Sequence, residues 1–220
     1  MKKVIATWSG GKDSCFATYK TIQQGYEVAY IANTISEDYK RVRFHGLLAD
    51  IIQKQADSIG IPLLQKETTP KDYEKEFKQN LERGISKEIK GIVFGDIHLK
   101  DCLTWATRLC DDLGVQIIEP LWHMKQKDIL QEFIKAGFEA IIVSTQSNIL
   151  GKEWIGRKID KQFIKEIEKL KDIDMCGENG EYHSLVINGP LFKKRLKIEK
   201  SESVLREGYW FLDIQGYQLI

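Results

Sequence analysis

Val4-Ile5-Ala6-Thr7-Trp8-Ser9-Gly10-Gly11-Lys12-Asp13-Ser14-Cys15-Phe16-Ala17 stands almost at the start of the chain. The uncharged run Val4–Trp8 reads as a buried strand and Ser9-Gly10-Gly11 as a turn. Asp13 to Gln24 reads as a helix, with Phe16, Ala17, Tyr19 and Ile22 near one face and Gly25 as its stop. A strand passing through a glycine turn straight into a helix is the first half of a βαβ unit. At such a junction the glycines allow close backbone approach, and the helix N-terminus presents free N–H groups to an anion. Ser9 and Ser14 add hydroxyl donors and Lys12 a flexible positive charge. A simple turn capped by Ser9 or Asp13 is the plainer alternative. Six specified positions at the carboxyl end of the first strand favour nucleotide phosphate binding.

The same alternation continues outward. Tyr26–Ile35, Ile61–Leu64, Ile92–Phe94 and Val115–Ile118 read as strands. Between them, Leu47, Leu48, Ile51, Ile52, Ala56 and Ile59 have helical spacing, as do Tyr73, Phe77 and Leu81, and Leu103–Leu113 reads as a further helix. The fold class is α/β: a parallel five-stranded nucleotide-binding sheet with flanking helices. After Pro120 the pattern changes. Asp128–Ala136 and Phe138–Val143 form one more helix–strand pair, and Arg157–Leu170 reads as a charged helix. Tyr182–Ile187, Arg195–Glu199 and Tyr209–Ile214 then read as strands, the first two separated by the turn Asn188-Gly189-Pro190. This predicts a nucleotide-binding domain over residues 1–122 and a smaller α+β domain over 123–220, packed tightly for want of a linker.

Composition narrows the function classes. With 42% hydrophobic and 30% charged residues the chain is neither disordered nor fibrous, and no apolar run approaches the ~20 residues that span a bilayer. Lys and Arg number 33 against 32 Asp and Glu, so a large phosphate-neutralising surface is disfavoured, and with it nucleic acid as a partner. The start lacks the apolar stretch of a secretory signal. Cys15, Cys102, Cys110 and Cys176 form no C-x-x-C pair, and read as reduced thiols in the cytoplasm. His98 and Cys102 are four apart, on one helical face if both are helical, but two ligands make no zinc site.

Ser9-Gly10-Gly11-Lys12-Asp13-Ser14 resembles the PP-loop of the N-type ATP pyrophosphatases, a superfamily with a HUP-like nucleotide-binding fold that cleaves ATP between the α- and β-phosphates. The resemblance implies ATP with Mg²⁺, a pyrophosphate held by Gly10, Gly11, Lys12 and Ser14, and an adenylated substrate. Cys176-Gly177-Glu178-Asn179-Gly180-Glu181-Tyr182-His183-Ser184, the later Gly189-Pro190-Leu191-Phe192, Gly156–Asp160 and Phe44-His45 are similar to segments of the diphthine–ammonia ligase family. Membership implies amidation of diphthine, a modified histidine on translation elongation factor 2, with ATP, ammonium and that protein as partners and a second copy of the chain as a further candidate. Asn179 stands where the family has glycine, a position suited to positive φ. His183 stands where many members have glutamate.

The candidate residues follow from both readings. Ser9–Ser14, Asn33 and Thr34 at the end of the second strand, and Gly95 and Asp96 at the end of the fourth, are candidates for the nucleotide, Asp96 also for metal. Lys12, Asp13, Glu178 and Glu181 are candidates for catalysis. The two glutamates suit Mg²⁺ binding, orientation of ammonium or its deprotonation. His45, Asn179, Gly180 and His183 join them as candidates for the acceptor. Arg41 and Arg43 lie on a polar loop able to reach phosphate or to be merely solvated, and Trp105, Trp122, Trp154 and Trp210 read as packing residues. Two alternatives stay open: a PP-loop enzyme acting on another carboxylate or on RNA, and an ATP-binding module without turnover.

Overall fold

The structure, a computed structural model, describes residues 1–42 and 45–220. Its first half is a parallel sheet of β1 (Lys3–Thr7), β2 (Glu27–Ser36), β3 (Leu63–Thr68), β4 (Ile89–Val93) and β5 (Gln116–Ile118), in the order β3-β2-β1-β4-β5. Helices α1 (Lys12–Gln23), α2 (Ala49–Ile59), α3 (Tyr73–Glu82) and α4 (Lys100–Leu113) follow β1, β2, β3 and β4 in turn. The chain winds outward from β1 to β3, then returns to place β4 on the other side of β1. The order therefore reverses beside β1, and the crevice at the carboxyl ends of β1 and β4 is the usual ligand site of such sheets. Thr7 Oγ1 donates to the Val93 carbonyl across that gap at 3.0 Å.

The second half begins with α5 (Gln126–Lys135). A mixed-length antiparallel sheet follows, made of β6 (Glu139–Gln146), β7 (Tyr182–Asn188), β8 (Leu196–Arg206) and β9 (Tyr209–Leu219) in the order β7-β6-β9-β8. Its helix α6 is shorter than the charge pattern suggests, Lys161–Ile167 rather than Arg157–Leu170. The preceding residues pair with β6 instead: Ile159 N–H donates to the Ala140 carbonyl at 2.9 Å, and Asp160 caps the helix through Gln162 and Phe163 N–H.

Both halves share one core. Phe16 of α1 meets Phe133 of α5 edge-on at 6.0 Å, and Phe133 stacks on Phe138 at 4.9 Å. All three rings are buried, in a cluster that also holds Val4, Ile52, Ile142 and Leu185. Phe133→Ala removes the central ring of this joint and is expected to cost about 3–5 kcal/mol. Denaturant unfolding checks this, and both halves should lose stability in a single transition.

Candidate active site

The turn after β1 is held from three sides. Gly10 has φ +83°, a conformation that costs glycine nothing, and a Cβ there would stand 2.7 Å from both Gln55 Oε1 and Ile52 Cδ1 of α2. Gln55 Nε2 donates to the Gly10 and Val186 carbonyls at 3.1 and 2.7 Å, while its Oε1 accepts from the Trp8 indole at 2.9 Å. From β7, Val186 N–H donates to the Gly10 carbonyl at 2.9 Å, and Ser184 Oγ accepts Lys12 N–H at 3.1 Å. Gly95 closes the third side, where a Cβ would lie 2.9–3.0 Å from the backbone of Asp13 and Ser14. Ser14 Oγ accepts Ser9 N–H at 3.2 Å and lies 3.2 Å from Ser9 Oγ.

Gly11, the N-cap of α1, has no side chain to offer, and the Lys12 N–H is taken by Ser184 from β7. The following N–H groups of the first turn have no intrahelical partner, and Asp13 and Ser14 of that turn line the crevice. The crevice is a cleft of about 540 Å³. Ser9, Asp13, Ser14, Asn33, Thr34, His45, Gly95, Asp96 and Glu178 all line it, so residues far apart in sequence converge as expected. Across from the loop stand Tyr73, Phe77 and Trp105, with Trp105 and Phe77 rings 5.4 Å apart. Trp105 is therefore a cleft residue as well as a packing one. A larger hollow of about 720 Å³ at the amino ends of β4 and β5 contains none of these groups.

Lys12 departs from expectation. Its side chain is 3% exposed and absent from the cleft wall. Nζ donates to Asp13 Oδ2 at 2.8 Å and to the Cys176 carbonyl, and sits 5.0 Å above the Tyr182 ring. Burial is the largest single influence and disfavours the ammonium, but Asp13 together with Tyr182 and Cys176 offsets it and holds the lysine pKa above its ordinary value. The residue is a lock between the loop and the 174–181 turn, not a free cation. Lys12→Met is expected to cost about 3–5 kcal/mol, the range for breaking a buried pair. An unchanged melting temperature with lost ATP affinity would restore the phosphate-binding reading of this lysine.

The two candidate glutamates also have different fates. Glu181 is 3% exposed, and its oxygens accept Asp174 N–H at 2.9 Å and Asn179 N–H at 3.1 Å, with Asn179 Nδ2 at 3.3 Å. It organises the turn and does not line the cleft. Positive φ in this turn belongs to Gly177 and Gly180, and not to Asn179. Glu178 does face the cleft, with Oε2 accepting Ile97 N–H at 3.2 Å. Burial and then the Asp13 charge lift its carboxyl to about 7. The same causes raise Asp96 to about 6. Glu119, just beyond β5, is raised to about 7 by burial and then by Asp96 and Glu178. Sequence reasoning passed over Glu119, although it directly follows β5 at the sheet edge where Asp96 follows β4.

His45 and His183 stand with ring centroids 4.7 Å apart, and His45 Nδ1 is 3.0 Å from the Ser184 carbonyl. Burial lowers His45 to about 4, and burial with the neighbouring His45 takes His183 well below its usual value, so both rings are neutral at pH 7. Arg41 is turned to the Gly46 carbonyl and to Asp213 of β9, each at 2.7 Å, and so braces the loop instead of reaching toward phosphate. Arg43 and Phe44 lie outside the described residues. Asn33 Nδ2 is spent on the Trp8 carbonyl at 2.8 Å, and its Oδ1 accepts from Gln65 at 3.0 Å. Among the described residues no three His, Cys, Asp or Glu side chains converge as a preformed metal centre, and His98 lies before α4 rather than on it. Asp13 Oδ1 and Glu119 Oε1 are inaccessible oxygens without a hydrogen-bond partner.

Comparisons with known proteins identify the family. Among curated proteins, the chain is 27% identical over 223 residues to a diphthine–ammonia ligase of Schizosaccharomyces pombe, covering 92% of this chain but 37% of that protein. It is 26% identical to the rat protein of the same name, covering 99% of this chain and 90% of that one. The human protein of that name is 25% identical, with 96% and 88% covered. A solved structure described as a predicted subunit of tRNA methyltransferase from Methanocaldococcus jannaschii matches 86% of this chain and 98% of its own, at 15% identity and a TM-score of 0.47, and carries no part of the functional reading. The model of the diphthamide synthase C-terminal domain matches residues 125–220. The model of the N-terminal domain matches residues 2–117, more than half of the 220 residues, and the chain accordingly belongs to the diphthamide synthase family.

Proposed function

We propose that the protein is an ATP-dependent ligase that adenylates the carboxylate of diphthine on translation elongation factor 2 and transfers ammonia to it, releasing AMP and pyrophosphate. The observation that carries this reading is the cleft itself. The first turn of α1 and the glycine turn before it contribute Ser9, Asp13 and Ser14 to the cleft, and Glu178, contributed by the other half of the chain, stands in the same cleft. The diphthine–ammonia ligase names of the relatives supply the acceptor.

ATP is the first substrate. Ser9, Gly10, Gly11, Asp13 and Ser14 hold its phosphates through backbone N–H and hydroxyl groups. The aromatic wall of Tyr73, Phe77 and Trp105, with Asn33, Thr34, Gly95 and Asp96, receives the nucleoside. The described cleft lining has no Lys or Arg, so the triphosphate needs a cation, and Asp13, which lines the cleft beside the loop, would hold it. Mg²⁺, when bound, neutralises and orients the phosphates.

Glu178 acts as the base. Its carboxylate attracts ammonium, removes a proton, and frees ammonia to displace AMP from the acyl-adenylate. Lys12 and Glu181 hold the loop and the 174–181 turn in register, while neutral His45 and His183, with Asn179 and Gly180, border the side on which the acceptor enters. Residues 1–122 then form the nucleotide-binding part and 123–220 the acceptor-recognition part. No helix is long and apolar enough to cross a membrane, and all four cysteines are free; the proposed place of work is the cytoplasm. With ATP, Mg²⁺, ammonium and elongation factor 2 bearing diphthine, phosphorus NMR is expected to show AMP and pyrophosphate. ADP with phosphate would reject the reading.

A further inference from the structure

One row of side chains next to the cleft is not used above. His98 lies in the bend between β4 and α4, and its ring stands between two carboxylates: Nδ1 is 3.9 Å from Glu178 Oε2, and Nε2 is 3.3 Å from Asp174 Oδ2. Asp174 is fixed. Its Oδ1 accepts Cys176 N–H at 2.7 Å, and its Oδ2 accepts from Gln126 Nε2 at 2.6 Å. The two carboxylates are buried, with side chains 2% and 10% exposed, whereas the imidazole is 38% exposed. The row thus begins at the cleft, at Glu178, and opens to water at His98.

The chemistry needs such an exit. An acyl-adenylate and ammonium give amide, AMP and two protons. The first proton leaves ammonium, and the second leaves the nitrogen after it has bonded to the carbonyl carbon and the C–O bond to AMP has broken. Glu178 holds only one. It is faced by Asp13 and Lys12 of α1, by Asp96 beyond β4, by Glu119 beyond β5 and by His98, and burial together with the Asp13 and Asp96 charges favours a proton on it. A base in that setting must be unloaded within each turnover.

We propose that His98 is a proton-relay and positioning residue for Glu178, held by Asp174, carrying the protons of ammonium from the cleft to solvent. Nδ1 takes the proton from the Glu178 carboxyl while Nε2 keeps its own against Asp174 Oδ2. Rotation of the part-exposed ring on its bend then releases the added proton to water and returns the imidazole to its starting tautomer. The spacing of 3.9 Å is long for a direct hydrogen bond, as is common before a substrate tightens the site. This inference rests on the ligase reading given above.

The test compares two nucleophiles at pH 7: ammonium, and hydroxylamine, which is mostly neutral there and releases one proton fewer. With elongation factor 2 bearing diphthine, AMP formation by His98→Gln is expected to fall about 10- to 100-fold with ammonium, less than the ~10²–10⁴-fold for a group that itself touches the nucleophile. Hydroxylamine turnover should fall much less, because one proton and not two must leave, and added imidazole should restore the ammonium reaction. His98→Asn, smaller and on an exposed bend, serves as a second variant, and melting temperatures establish that both fold. An equal loss with both nucleophiles, an unchanged ammonium rate, or no rescue by imidazole would each overturn the relay while leaving the ligase reading in place. Failure of the unmodified protein to form AMP with either nucleophile would overturn the ligase reading, and the relay with it.

Discussion

Glu178→Gln is expected to lower amide formation by about 10²–10⁴-fold while leaving ATP affinity nearly unchanged. The substitution keeps the side chain's size, so the contact with Ile97 N–H and the cleft shape survive. It removes the charge that attracts ammonium and the lone pair that accepts its proton. A pH profile provides the sharper test. Burial and Asp13 place the Glu178 carboxyl at about 7. A base works only when unprotonated, so turnover at saturating ammonium should rise as pH increases through about 7, and this limb should vanish in Glu178→Gln. Glu181→Gln should behave differently. It replaces an acceptor of backbone N–H groups inside the 174–181 turn, so the loss should appear in stability and not as a displaced pH limb.

Gly10→Val is expected to abolish measurable ATP binding. Two independent costs coincide at this position. Its φ of +83° is a strained conformation for a β-branched residue, about 1–3 kcal/mol. The added Cβ would also stand 2.7 Å from Gln55 Oε1 and Ile52 Cδ1, in a packed region where overfilling costs a further ~1–3 kcal/mol. Gln55 cannot yield freely, because it bonds the Trp8 indole and the carbonyls of Gly10 and Val186. Relief must come from the loop, which is the surface proposed to meet phosphate. Calorimetry with ATP and Mg²⁺ checks this, and undiminished affinity in a folded Gly10→Val protein would remove the loop from the binding site.

The sequence is most legible where structure is local. The run Val4–Trp8, the adjacent glycines and the spacing of Phe16, Ala17 and Tyr19 announce β1, the turn and α1 with no help from the rest of the chain. β3 is less legible. Its apolar part ends at Leu64, but the strand continues through Gln65, Lys66 and Glu67 to Thr68, because Gln65 reaches Asn33 and Lys66 pairs with Glu76 across the structure. The long hairpin of β8 and β9 is likewise obscured. β8 is an edge strand with Glu199, Lys200, Ser201 and Glu202 exposed, so its pattern lacks half of the expected burial.

For the site, residue types and sheet ends were readable, while side-chain direction was not. Glu178 and Glu181 lie three apart in one glycine-containing turn, and nothing local says that the first faces a cleft while the second is spent on backbone N–H groups. Lys12 reads as a phosphate ligand because it follows two glycines. Its actual partners, the Cys176 carbonyl and the Tyr182 ring, lie more than 160 residues away and appear only once β7 has docked on the loop. His98 reads in the sequence as a possible metal ligand beside Cys102, but Asp174 and Glu178, which face its ring, belong to the other half of the chain.

The central claim is that an acceptor carboxylate attacks the α-phosphate of ATP in the cleft between Ser9–Ser14 and Glu178. Oxygen-18 tests it most directly. Elongation factor 2 whose diphthine carboxylate carries the isotope is incubated with the protein, ATP, Mg²⁺ and ammonium, and the released nucleotide is analysed by mass spectrometry. Adenylation predicts one labelled oxygen in AMP for each amide formed, with unlabelled pyrophosphate. Label in inorganic phosphate, or amide formed with unlabelled AMP, would contradict the account.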